Sequence, residues 1–108
     1  MTTFDERERA FETKFARDQE IQFKIVARRN RLLGLWAAER MGLTDVEAEA
    51  YARDVVHSDF ETMGDDDVIK KLLGDITAAG VEVDEAELRR AAEEKLVEAR
   101  RQMIESTD

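Results

Sequence analysis

Leu32-Leu33-Gly34-Leu35-Trp36-Ala37-Ala38-Glu39-Arg40-Met41-Gly42-Leu43-Thr44-Asp45-Val46-Glu47 carries the end of one helix and the start of the next. Residues 32–38 are apolar almost all round, as in the central helix of a bundle. Gly42 suits the left-handed turn just past a helix C-terminus, because it has no Cβ to clash there. Thr44-Asp45-Val46-Glu47 then fits a capping box, in which Thr44 and Glu47 each satisfy an N–H that the first turn would otherwise orphan.

Toward the C-terminus the pattern repeats. Ala48, Tyr51, Ala52, Val55, Val56, Phe60 and Met63 share one side of a second helix that is read to end near Gly64. A third opens on Asp65-Asp66-Asp67, carboxylates at the positive end of the helix dipole, and shows the stripe Val68, Ile69, Leu72, Leu73 and Ile76 before Gly80. A fourth begins with an Asp84 cap, Glu87 three residues into the helix and a Val83–Leu88 staple, then continues the stripe with Ala92, Leu96, Ala99 and Met103. Each helix is apolar on one side, so each needs a partner. Gly34 and Gly74 lie inside helical patterns, where Gly costs about 1 kcal/mol relative to Ala. Close helix approach is the expected reason for both.

Toward the N-terminus the character changes. Apolar positions shrink to Phe4, Phe11 and Phe15, which fall within about 40° of one another at about 100° per residue. The intervening positions are mostly charged, so this is a thin aromatic seam on a charged rod. Three such contacts could pack weakly on the chain's own bundle. Periodicity favours a second reading, a segment frayed when free that folds into a partner's groove on its phenylalanine anchors. The expected architecture is all-α: a four-helix bundle over residues 19–108, with helices at about 19–41, 45–63, 66–79 and 85–105. Residues 1–18 form a mobile N-terminal arm, continuous with or preceding the first helix, partly disordered when free.

Composition agrees. The 108 residues include no Pro and no Cys, and the formal net charge is −9. Absent cysteine removes disulfides, thiol nucleophiles and Cys-based zinc sites and points to the cytosol. No apolar run approaches the roughly 20 residues that span a bilayer, and no apolar signal region opens the chain, so neither membrane insertion nor secretion is expected. Charge is unevenly placed: net −2 over residues 1–20, +4 over 21–41 and −11 over the remainder. Lys24, Arg28, Arg29 and Arg31 make the basic stretch, but a body this acidic repels phosphates, and no DNA-binding spacing is present. No nucleic acid partner is expected, and intramolecular pairing with the acidic helices is the simpler account.

Arg29 falls on the apolar side with Val26, Leu33 and Trp36, and Asp59 falls among Val55, Val56 and Met63. An Arg29–Asp59 structural ion pair is expected between the first two helices. His57, the single histidine, is expected exposed, with a pH-sensing role conceivable. No metal site, cofactor motif or catalytic constellation can be assembled; an acid/base enzyme on Asp59 and His57 is the remotest reading. A different class of function is a bundle for protein interaction or weak small-ligand (nucleotide) binding, its pocket near Trp36 and Tyr51.

The residues resemble a known family, the zeta subunit, intrinsic ATPase inhibitor of alphaproteobacterial F-type ATP synthases. The likeness lies in residues 2–16 with Phe4, Phe11 and Phe15, in Phe23-Lys24 followed by residues 27–38, in Ala50-Tyr51-Ala52 with Val55-Val56 and Asp59-Phe60-Glu61, and in Gly64-Asp65 with Asp67-Val68. It covers about the first three quarters of the chain. The resemblance implies a four-helix bundle with a mobile arm, no enzymatic activity of its own, and partners in the alpha, beta and gamma subunits of F1-ATPase. It implies that the arm folds as a helix at an alpha/beta catalytic interface next to gamma and blocks ATP hydrolysis while permitting synthesis. By the same resemblance Phe4, Phe11 and Phe15 are the anchors, and Arg7, Arg9, Lys14 and Arg17 pair with acidic rims. The chain would then be cytoplasmic, peripheral to the inner membrane when bound to ATP synthase.

Overall fold

The computed structural model describes the backbone of residues 3–58 and 65–106, and the side chains of residues 17–58 and 65–105. It contains four helices in chain order: α1 (Thr3–Arg40), α2 (Asp45–His57), α3 (Asp65–Ala78) and α4 (Glu85–Ser106). The punctuation follows the local chemistry. Gly42 and Gly80 take φ of 74° and 81°. Each closes its helix with paired bonds, Leu43 N–H to the Ala38 carbonyl and Gly42 N–H to that of Glu39, then Val81 N–H to Ile76 and Gly80 N–H to Thr77. The Thr44 N–H donates to Glu47 Oε1 at 2.9 Å and the Glu47 N–H to Thr44 Oγ1 at 3.3 Å, completing the capping box. At α4, Asp84 accepts from the Ala86 N–H at 3.3 Å. Glu87 turns away from that cap and pairs with Arg40 of α1 at 2.7 Å.

α2 stops at His57, short of residue 63, with Ser58 in an extended conformation (ψ 138°). The Ser58 hydroxyl donates to the Asp54 carbonyl at 2.8 Å, a side-chain bond that occupies the last turn. Phe60 and Met63, expected on this helix, lie outside the described residues.

The stripes converge on one core of Leu33, Ala37, Val55, Val68, Ile69, Leu72, Ile76, Leu88, Ala91 and Ala92, with Trp36, Tyr51, Leu73, Val81 and Val83 packed against it. Each fully buried Leu or Ile contributes about 1.5 to 3 kcal/mol by leaving water. α1 is the central element, touching α2, α3 and α4. α4 runs antiparallel to it, since Arg40 meets Glu87 at one end while Arg28 meets Gln102 at the other. Gly34 lets α2 approach: a Cβ there would stand 3.0 Å from the Ala52 Cα and 3.3 Å from Val55 Cγ2. Gly74 corrects the expectation of a second close approach, because a Cβ there meets nothing within 4 Å. Among the described residues, no helix is long and apolar enough to cross a membrane.

Candidate functional site: the projecting end of α1

The 38 residues of α1 span about 57 Å at about 1.5 Å per residue, far beyond what its partner helices cover. The molecule accordingly measures 65 × 28 × 21 Å. The crossover is sharp. Side chains from Arg17 through Lys24 are all exposed, whereas Ile25, Arg29, Asn30 and Leu33 are buried. On the exposed part Glu20 and Lys24 pair at 3.2 Å along one face. Positions 4, 11 and 15, carried forward at about 100° per residue, share a stripe with positions 26, 29 and 33. The arm's seam is thus in register with the face that α1 turns to the core.

Of the residues expected from the sequence to bind a partner, Arg17 is exposed. Phe4, Arg7, Arg9, Phe11, Lys14 and Phe15 have backbone within α1, and their side chains lie outside the described residues.

Just inside the crossover sits a buried cation. Arg29 is 2% exposed. Its NH1 donates to Asp65 Oδ1 at 2.6 Å and its Nε to Asn30 Oδ1 at 2.8 Å. Asp59, proposed from sequence as the partner, lies outside the described residues; the described carboxylate is that of Asp65, the first residue of α3. Burial of Arg29 was readable from the helical period, but the roles of Asn30 and Asp65 were missed. In the sequence Asp65 reads only as a helix start, and nothing in one helix's periodicity specifies which neighbouring helix end meets it.

The other basic residues of this stretch bond within the chain, Lys24 to Glu20 at 3.2 Å among them. Arg31 bonds both carboxylate oxygens of Glu49 on α2, at 2.9 and 3.2 Å, which holds the Glu49 carboxyl below its ordinary pKa. Arg28 donates to the neutral amide of Gln102 at 3.4 Å. His57 is exposed. Trp36 and Tyr51 are half-buried and packed against the core. Arg40 lies over the Trp36 ring at 4.6 Å and Lys71 over the Tyr51 ring at 5.8 Å. The Tyr51 hydroxyl donates to Asp75 at 2.6 Å, and burial together with that bond raises its pKa well above the ordinary tyrosine value. No group of three His, Asp or Glu side chains among the described residues could hold a metal ion.

The family model for ATPase inhibitor subunit zeta matches residues 1–102, almost the whole chain, including the projecting arm and the four helices. The chain belongs to this family. Its role is therefore that of an inhibitor subunit of an ATPase, which is regulatory. A solution NMR structure with 44% sequence identity covers 80% of this chain and 98% of its own, with a TM-score of 0.69. No curated protein matches the sequence. Within the zeta family fold, then, the bundle is the part that packs and the end of α1 is the part that reaches out.

Proposed function

We propose that the chain inhibits F1-ATPase by inserting the N-terminal part of α1 at an alpha/beta catalytic interface beside gamma, where it blocks rotation in the hydrolytic direction and permits synthesis. The observation that carries this reading is the projection of α1 beyond its own bundle, with every described side chain of residues 17–24 exposed. A helix that leaves its bundle in this way is available to a partner. Its seam of Phe4, Phe11 and Phe15 continues the stripe that α1 uses for packing, so the arm presents to a second protein the same kind of apolar ridge that the core receives from residues 25–37. Each phenylalanine removes a large apolar area from water when it docks, and Arg7, Arg9, Lys14 and Arg17 beside the seam suit acidic rims.

Helices of this length without tertiary contacts are marginal in water. The arm therefore frays when free and gains its helix on binding, which lowers affinity by the ordering cost while letting it thread a narrow site. The bundle offsets that cost by holding the arm near its site at high effective concentration. A chain acting this way sits in the cytoplasm, at the inner membrane only through ATP synthase.

The decisive experiment adds purified chain to the cognate F1 and follows ATP hydrolysis. The full chain suppresses it, and a chain lacking residues 1–17 leaves it unchanged while keeping the Trp36 fluorescence of the folded bundle. Unaltered hydrolysis with both chains overturns the reading. Hydrogen exchange on the free protein tests the fraying separately, since strong protection of the amides of residues 5–18 would contradict it.

A further inference from the structure

An open groove of about 570 Å³ lies at the root of the arm, between α1, the end of α2 and the last turns of α4. Its lining combines Phe23, Val56 and Met103 with Lys24, Arg28 and Arg31. Phe23 is 62% exposed, the one aromatic among the large exposed apolar side chains of the described residues. The cations are unequally answered. Glu20 pairs with Lys24 at 3.2 Å and Glu49 with Arg31 at 2.9 Å. Arg28, between them, donates to the neutral Gln102 amide at 3.4 Å, which in turn donates to Glu98 at 3.3 Å, so among the described residues no carboxylate pairs with Arg28 directly. This is a positive, partly apolar cleft on a chain of net charge −9.

We infer that this groove is where the bundle seats on the ATPase, its occupant an acidic segment of the ATPase that sets an apolar side chain against Phe23 and a carboxylate against Arg28. The inference rests on the inhibitory reading for the identity of the partner. Charge complementarity selects the acidic occupant, because a carboxylate here meets a guanidinium that no carboxylate pairs with directly, instead of the repulsion it finds over most of the surface. Continuity with the arm selects the partner. Phe23 and Arg28 stand on the same helix as residues 3–17, so whatever receives the arm passes beside the groove. A second copy of this chain carries the same net charge of −9, so two copies repel each other over most of their surface. Two attachment points on one helix make the bundle an anchor and the arm an effector.

The test uses the full chain and three variants, Phe23→Ala, Arg28→Glu and Arg28→Lys, with binding to purified F1-ATPase measured by fluorescence anisotropy alongside ATP hydrolysis. These positions are outside the buried core, and Trp36 fluorescence reports whether each variant is folded. Phe23→Ala and Arg28→Glu are expected to weaken binding about tenfold or more and to raise the half-inhibitory concentration in step, as truncation of an interface anchor does. Arg28→Lys keeps the charge and retains most of the affinity. Binding by both variants within twofold of the parent overturns the groove assignment. So does loss of self-association in sedimentation with unchanged ATPase binding, which would make a second copy the occupant. A parent that binds without inhibiting sinks the arm mechanism alone, and the ratio of variant to parent affinity still decides the groove. A parent that does not bind at all removes both.

Discussion

Phe23 and Leu33 are large apolar side chains on one continuous helix, yet the first is 62% exposed and the second fully buried. The backbone does not separate them, since both lie within Thr3–Arg40. What differs is the surroundings. From Ile25 onward α1 has α2, α3 and α4 to pack against, and before it the described side chains face water. One secondary structure thus has two surroundings: the C-terminal half of α1 is stabilised by tertiary burial, and the proposed function gives its N-terminal half to another molecule. Stability measurements should therefore divide at about residue 25.

Leu33→Ala tests that division with the largest effect. Removing a fully buried leucine leaves a cavity in the core, and about 3 kcal/mol of stability should go with it. Phe23→Ala should stay within about 0.5 kcal/mol, because an exposed side chain has little burial to lose. Urea denaturation followed by the single tryptophan, Trp36, reads both variants in the same assay. Similar midpoint shifts for the two would erase the comparison.

Next in size is an asymmetry within one ion pair. Arg29 is 2% exposed while the Asp65 side chain is 44% exposed. Asp65→Ala strands a buried guanidinium and should cost about 2 to 3 kcal/mol, somewhat less than loss of a fully enclosed pair because water still reaches that end. Arg29→Met frees a carboxylate that can hydrate and replaces the charge with an apolar side chain of similar length, so its cost should be smaller. Equal losses, or the reverse order, would mean that the buried cation is not what this contact protects.

Much of this was legible in the sequence. The capping box at Thr44, the turns at Gly42 and Gly80, the apolar stripes and the burial of Arg29 are all set within a few residues of chain, where period and local hydrogen bonding decide. Asp65 as partner of Arg29 was not legible, because it depends on where α3 begins in space relative to α1. Phe23 falls off the seam and off the core stripe, and only the meeting of α1 with the ends of α2 and α4 makes it part of a groove. The two helical glycines show the same limit. Their local cost is alike, and a neighbour exists for one alone.

That pair of glycines gives a smaller test with opposite signs. Gly34→Ala pushes a methyl group to 3.0 Å from the Ala52 Cα, backbone that can yield only by moving α2, so about 1 kcal/mol of net destabilisation is expected after the helix-propensity gain. Gly74→Ala enters open space in a helix interior and should stabilise by about 0.5 to 1 kcal/mol. Thermal melts of the two variants should move in opposite directions. Movement the same way would show that propensity outweighs the close packing that holds α2 against the buried half of α1.

The smallest effect concerns charge at the boundary itself. Arg31 and Glu49 join α1 to α2 on the surface, with side chains 44% and 48% exposed, so water screens the pair and Arg31→Ala should alter stability least. Its signature is in the pH dependence. The hydrogen bond from Arg31 holds the Glu49 carboxyl below its ordinary value of 4.5. A carboxylate depressed in the folded state adds stability that is fully present above the unfolded value and disappears as pH falls through the folded one. The stability difference between parent and Arg31→Ala should thus be constant near neutrality and close below about pH 4.5, while the Glu49 carboxyl resonance titrates at higher pH in the variant. If the difference instead persists in acid, Arg31 contributes through the packing of its stem on α2. The boundary between the two halves of α1 would then be apolar in origin even where it is lined with charge.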